Sequence, residues 1–183
     1  GSASETNTAY AAGVAGEITN LGNEAVTLDD TTLAVATLNT LDGNTSGGIN
    51  AATINTLTGA AAALNTAYTS NGTDQMSGLN DEAVTLTDST VAASDVNAVD
   101  GFTSGLIDAS TVTTVTGLAA TINTAFAANN STAVSNLGDS EAVTLTDTSV
   151  AVAALNTLND TTTGVINATT VNTITGSASE TNT

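Results

Sequence analysis

Polar and apolar residues alternate along this chain in short runs, and the runs recur. The triplets Thr27-Leu28-Asp29, Thr56-Leu57-Thr58, Thr85-Leu86-Thr87, Thr114-Val115-Thr116, Thr144-Leu145-Thr146 and Thr173-Ile174-Thr175 follow one another at spacings of 29, 29, 29, 30 and 29. Each reads polar–apolar–polar, as a half-buried strand does. A period of 58 overlies the shorter one. The segment Glu24–Leu28 returns as Glu82–Leu86 and as Glu141–Leu145, the last after one residue inserted near Asp139-Ser140. Apolar columns share that spacing: Tyr10, Tyr68 and Phe126; Ile18, Met76 and Val134; Leu21, Leu79 and Leu137; Ile49, Ile107 and Ile166. The pattern predicts that Val26, Leu28, Leu57, Val84, Leu86, Val115, Val143, Leu145 and Ile174 point inward. The flanking threonines should then form ladders on the opposite face.

A short helical or turn element is expected in each coil. Its cores are Thr6-Asn7-Thr8, Leu38-Asn39-Thr40, Leu64-Asn65-Thr66, Val96-Asn97-Ala98, Ile122-Asn123-Thr124 and Leu155-Asn156-Thr157, with Asn in all six. Ser2-Ala-Ser-Glu5 has the form of a capping box. Asp42-Gly43, Asp100-Gly101 and Asn159-Asp160 read as punctuation after these elements, and Gly59, Gly117 and Gly176 close the strands. Units that cannot bury an apolar face alone share a core when stacked. The fold class expected is therefore a repeat solenoid: a parallel β-solenoid with short helical elements, about six coils of 29 residues in three 58-residue repeats. The organisation is one continuous segment over 1–183, with repeats at 21–78, 79–136 and 137–183, the last continuing in phase with 1–20. Thr27, Thr56, Thr85, Thr114, Thr144 and Thr173 are expected in one ladder about 4.8 Å apart, and Tyr10, Tyr68 and Phe126 are expected to be buried.

The two ends match. Residues 1–8 read GSASETNT and residues 176–183 read the same, at an offset of 175, two repeats of 58 and one of 59. The expectation is a window on a longer periodic chain, with the phase at one end accepting the phase at the other.

Composition narrows what such a chain does. Its 183 residues include no Lys, Arg, His, Cys, Pro or Trp, and 18 acidic residues give a net charge of −18. No side-chain salt bridge is possible, so apolar burial and backbone pairing must supply stability. Carboxylates without cations repel at low ionic strength and are screened at about 1 M salt, where the Debye length is about 3 Å. Phosphate neutralisation has no cation to perform it, which argues against nucleic acid. No apolar run approaches the roughly 20 residues of a membrane-spanning helix, so no membrane insertion is expected. A hydrophobic content of 40% separates the chain from disordered acidic sequences.

The stretch EAVTLTD (Glu82–Asp88), VAASDVNAVDG (Val91–Gly101), DASTVTTVTG (Asp108–Gly117) and AATINTAF (Ala119–Phe126) resembles repeats in giant secreted surface proteins of marine cyanobacteria and other aquatic bacteria. Those repeats carry phrases similar to Leu38–Gly43 and Leu57–Gly59. The resemblance implies a very large, extracellular or cell-surface, fibre-forming protein and brings no catalytic residue with it.

Candidate chemistry is confined to carboxylates, hydroxyls and amides. A two-carboxylate hydrolase needs converging acids, whereas Glu24, Glu82 and Glu141, like Asp88 and Asp147, recur by column, which reads as a solvated acidic face. No enzyme is expected. Calcium favours several oxygen ligands, and Asp29, Asp30, Asp81, Glu82, Asp139 and Glu141 are the candidates, although neither an EF-hand loop nor a GGxGxD nonapeptide is present. The Thr ladder (Thr27, Thr56, Thr58, Thr85, Thr87, Thr114, Thr116, Thr144, Thr146, Thr173 and Thr175) admits three readings: an ice-binding face, a lateral seam, or threonines that simply suit exposed strands. Sequons stand at Asn44 and Asn130. The function expected is a structural extracellular repeat protein that stacks head to tail on copies of itself; the alternative is a binding module, for ice or as a calcium-dependent adhesin extender.

Overall fold

The computed structural model describes the chain apart from residues 74, 131, 132, 178 and 180–183 and the side chain of residue 130. The repeat of residues 1–8 at 176–183 therefore falls largely outside the described residues, as does the sequon at Asn130. Two compact units divide the chain, Gly1–Thr85 with Phe102–Gly105, and Leu86–Gly101 with Leu106–Thr183.

In the first unit the chain runs α1 (Ala3–Val14), β1 (Val26–Thr27), β2 (Thr32–Ala34), α2 (Val35–Asn44), β3 (Ile49–Asn50), β4 (Thr56–Gly59), α3 (Ala61–Asn71), β5 (Met76–Ser77) and β6 (Ala83–Leu86), whose last residue opens the second unit. Strands β1, β3 and β5 form one parallel sheet in that order, and β2, β4 and β6 lie side by side in another. The second unit continues with β7 (Thr90–Ala92), α4 (Ala93–Phe102), β8 (Ile107–Asp108), β9 (Thr114–Gly117), α5 (Ala119–Asn130), β10 (Val134–Ser135), β11 (Ala142–Leu145), β12 (Ser149–Ala151), α6 (Val152–Thr161), β13 (Ile166–Asn167) and β14 (Thr173–Thr175). There β7, β9, β11 and β13 make a parallel sheet, β8 pairs with β10, and β12 with β14. The protein is thus a series of βα units with parallel sheets, and the βαβ pattern recurs with a period near 29 along the chain.

All six expected helical elements are helices, and the capping box is formed: the Ser2 hydroxyl accepts from the Glu5 amide while the Glu5 carboxylate accepts from Ser2. Asp42-Gly43 and Asp100-Gly101 do not end their helices. They lie inside the last turns of α2 and α4. The apolar columns make the core. Leu28, Leu57, Val84, Leu86, Val115, Val143 and Leu145 are buried, as are Val26 and the aromatics Tyr10, Tyr68 and Phe126. Ile174, in β14, is the exception at 55% exposure.

The expected single Thr ladder is corrected by the register. Thr27 stands opposite Asn50, Thr56 opposite Thr32, and Thr173 opposite Ser149. Thr114 lies between Thr90 and Ala142, while Thr144 lies between Thr116 and Asn167. Pairing follows the length of the connection between strands, and two kinds of βα unit differ in that length. A step across a ten-residue helix, as from Val91 to Val115 over α4, advances the numbering by 24; the step from Val115 to Val143 over the twelve-residue α5 advances it by 28. Two steps therefore advance it by 52, whereas the repeat here is 59 long. The seven positions left over separate Val143 from Val150, so β12 starts a new sheet rather than joining the one that holds β11.

The recurring Asn residues tie neighbouring helices. In the first unit the Asn7 amide donates to the Thr37 carbonyl at 3.0 Å and Asn39 to Ala63 at 2.9 Å. In the second, Asn97 donates to Thr121 at 3.0 Å and Asn123 to Ala154 at 3.1 Å. The Oδ1 atoms of Asn39 and Asn123 are buried without a partner, a cost these rungs carry.

Candidate functional site

Three repeated carboxylates, Glu24, Glu82 and Glu141, head the EAVTL segments and are built into the same local device. Each folds back on the turn before it and accepts backbone N–H groups: Gly22 at 2.7 Å and Asn23 at 3.1 Å on Glu24, Asn80 at 2.9 Å on Glu82, Gly138 at 2.7 Å and Ser140 at 3.2 Å on Glu141. The backbone carbonyl of each glutamate accepts a threonine hydroxyl from the loop after the next helix: Thr45 at 2.8 Å, Thr103 at 2.8 Å and Thr162 at 2.9 Å. Those hydroxyls in turn accept from Gly47, Gly105 and Gly164. A Cβ at any of these three glycines would collide with the glutamate carbonyl, so the close approach needs glycine.

The expectation of a solvated acidic face is corrected for two of the three. Glu82 is fully buried and Glu141 is 7% exposed. Their charge is tolerated because a carboxylate that accepts backbone amides is hydrogen-bonded rather than bare. Surroundings separate Glu82 from Glu24 electrostatically. Burial pushes the Glu82 carboxyl above its ordinary value, against the pull of its amide donors. Backbone donation from Gly22 holds Glu24 below its ordinary value, since this copy is half-exposed. The Tyr68 hydroxyl donates to Glu82 at 3.3 Å, and burial followed by the Glu82 charge pushes that phenol upward. Phe102 stacks on the Tyr68 ring with centroids 5.5 Å apart. In the third repeat Thr161 stands in the place of Phe102, and a cavity of about 200 Å³ opens beside Phe126, Asp160 and Thr161.

The calcium candidates are not brought together. Asp29 is exposed and lies 3.7 Å from the terminal amine of Gly1. Asp30 accepts from the Ala3 amide at 2.7 Å, at the N-terminus of α1, and Asp147 does the same for Ala119 of α5 at 2.8 Å. Carboxylates in those positions satisfy unpaired helix amides and complement the helix dipole. Asp81 and Asp139 are exposed, while Glu82 and Glu141 are buried in the clamp. Among the described residues no three metal-ligating side chains converge.

The Thr rows are broken surfaces rather than one array. Thr58 faces Ala34, Thr114 faces Ala142 on one side, and Thr116 faces Ala92. Several hydroxyls are also spent on the backbone, Thr116 on Val91 at 3.3 Å and Thr175 on Val150 at 3.5 Å. Thr85 is half-buried, and Thr87 and Thr146 are exposed just beyond their strands.

Compared with protein-family models, with curated proteins and with solved structures, the chain finds no match. Its own geometry must carry the reading. The Thr-Ser-Gly and Thr-Thr-Gly triplets that close the clamp (Thr45–Gly47, Thr103–Gly105 and Thr162–Gly164) recur at spacings of 58 and 59, a signal in the sequence that the apolar pattern overshadows.

Open strand edges complete the picture among the described residues. In the first unit β1 pairs on one side only, with β3, and Val14, Ile18 and Leu21, which precede it in the chain, are 88%, 42% and 38% exposed. A groove of about 300 Å³ lies there, lined by Tyr10, Leu21, Glu24 and Val26 among others. In the second unit β13 and β14 end their sheets, with Val165 77% exposed and Ile174 55%.

Proposed function

We propose that the chain is a structural, extracellular repeat protein: a building block of a fibre, stalk or surface coat, whose βα coils stack end to end as a solenoid. One observation carries this reading. Columns that are buried inside the repeats are open at the two edges. Met76 and Val134 are each 1% exposed where their counterpart Ile18 is 42%, and Leu57 and Val115 are 0% where Ile174 is 55%. Parallel edges with unpaired backbone and apolar side chains are templates for further strands, and stacked repeats need polar caps to stay apart. The acid-only composition supports a saline exterior, where its repulsion is screened. The buried clamp carboxylates are read as structural and no catalytic role is assigned to them.

Salt decides the matter experimentally. From 10 mM to 1 M salt the Debye length falls from about 30 Å to about 3 Å. Light scattering should show mass growing well above the 17.7 kDa of one chain, and negative-stain images should show filaments of uniform width. A monodisperse single chain at every salt concentration overturns the proposal.

A further inference from the structure

If the chains do stack, the register of the junction is already written inside the protein. The second compact unit supplies the template. There β11 lies between β9 and β13, with Ala142 opposite Thr114, Val143 opposite Val115, Thr144 opposite Thr116 and Leu145 opposite Gly117. Strand β1 is the counterpart of β11 two repeats earlier, and it has the β13 counterpart, β3, but no β9 counterpart among the described residues. Strand β14 is the counterpart of β9, and it has a neighbour, β12, but no β11 counterpart among them. Each edge lacks what the other offers.

Gly1 fixes the register. In the template the Thr146 amide donates to the Gly117 carbonyl at 2.9 Å. At the open edge the Asp29 amide donates to the Gly1 carbonyl at 3.3 Å, and the Gly1 amine donates to the Thr27 carbonyl at 3.2 Å. Gly1 thus stands beside Leu28 as Gly117 stands beside Leu145. The residues that lead into Gly117 are Thr114-Val115-Thr116, and the same column at the far end, Thr173-Ile174-Thr175, leads into Gly176, the first residue of the second GSASETNT.

Resting on the end-to-end reading, we propose that the strand which pairs with β1 is Thr173–Thr175 of a second copy of this chain, with Thr173 opposite Ala25, Ile174 opposite Val26 and Thr175 opposite Thr27. A second rung follows from the pairing of Ile107 with Val134: Ile166 falls opposite Ile18, and Asn167 opposite Thr19. Ile174 then enters the groove beside Tyr10 and Val26. All ten residues of the two rungs are uncharged, so the net charge of −18 is kept off the contact itself. Gly176 of one copy and Gly1 of the next claim a single place, and one of the two identical segments must leave it.

The test is disulfide trapping in the full chain, because Thr19, Thr27, Asn167, Thr173 and Thr175 are all exposed and tolerate substitution. Directly opposed residues lie about 4.8 Å apart, within the Cα separation a disulfide spans; a shift of two residues along the strand gives about 8 Å, beyond it. The shorter sequence period would oppose Thr27 to Thr173, so T27C/T173C is the competing register. Each double variant is oxidised in high salt and read on a non-reducing gel, with light scattering of the reduced protein alongside. Single-cysteine chains, which stop at dimers, give the collisional background. The expected result is a ladder beyond dimer for T27C/T175C and for T19C/N167C, several-fold above that of T27C/T173C. A ladder that favours T27C/T173C, or no ladder in chains that scatter as filaments, overturns the register and leaves stacking standing. Chains that scatter as monomers remove both.

Discussion

Glycines four residues apart in this chain should respond to the same substitution with opposite signs. At Gly105 an added Cβ meets the carbonyl oxygen and carbon of Glu82 and the Ala83 amide, all of them backbone. Nothing flexible can yield, so Gly105→Ala must move the loop off Glu82. That breaks the bond from the Thr103 hydroxyl to Glu82 and the one from Gly105 to that hydroxyl, 2.8 and 2.9 Å long. Each is worth about 1 kcal/mol net, and a forced backbone shift adds about 1 kcal/mol or more, for a loss of about 3 kcal/mol. At Gly101, in the last turn of α4, an added Cβ meets nothing within 4 Å and φ is not positive. Gly101→Ala should gain about 0.5 kcal/mol by restricting the unfolded chain. For a chain of this length about 1 kcal/mol moves the melting temperature by about 2–4 °C. Thermal unfolding followed by circular dichroism should place Gly105→Ala about 6–12 °C below the parent and Gly101→Ala about 1–2 °C above it. Equal melting temperatures, or a stable Gly105→Ala chain, would refute the claim that the clamp depends on backbone contact.

Other outcomes follow from the same geometry. Asn39→Ala removes one inter-helix bond and one unpartnered buried oxygen together, and should cost about 1 kcal/mol in urea unfolding; Asn39→Asp places a charge against the Ala63 carbonyl and should cost more at pH 7 than at pH 4. The clamp carboxylates should show opposite pH responses. Glu82 is raised in the folded state, so its contribution to stability falls as pH rises from the ordinary glutamate value through the raised one; Glu24 is lowered, so its contribution is lost as pH falls through the lowered value. Glu82→Gln should therefore hold or improve stability at neutral pH while Glu24→Gln loses it, measured as urea midpoints from pH 3 to 8; equal responses would show that burial does not separate the copies. Removing residues 176–183, which duplicate residues 1–8, should increase assembly in 1 M salt by ending the contest for one place, and light scattering that falls after the truncation would count against it.

Element types were legible in the sequence because burial imposes its own period. The Leu57 and Val115 strands follow directly from apolar spacing, and the six helices, expected as helix or turn, from their recurring Asn cores. Pairing was not legible, because equal spacing along the chain does not mean equal connections between paired strands: α4 and α5 differ by two residues, and the steps across them by four. The Ile49, Ile107 and Ile166 column is plain in the sequence, yet its strands are two residues long, too short for an alternation to register. Burial of Glu82 and Glu141 was hidden for another reason. An acid heading an exposed-looking turn reads as solvated unless the partner threonine and glycine, one helix further along the chain, are recognised as its lid.

The alternation of short and long βα units also constrains how such a chain can grow at the level of its gene. Duplicating a single short βα unit would set two ten-residue helices in succession, and the pairings across the insertion would lose the alternation of short and long steps. Strand slippage or unequal crossing-over preserves that alternation only when it adds or removes a whole pair of units. The one-residue insertion near Asp139 falls in a turn between strands, where length changes do not alter pairing within either neighbour. Variation in the length of such proteins should accordingly come in increments of a whole repeat, 58 or 59 codons.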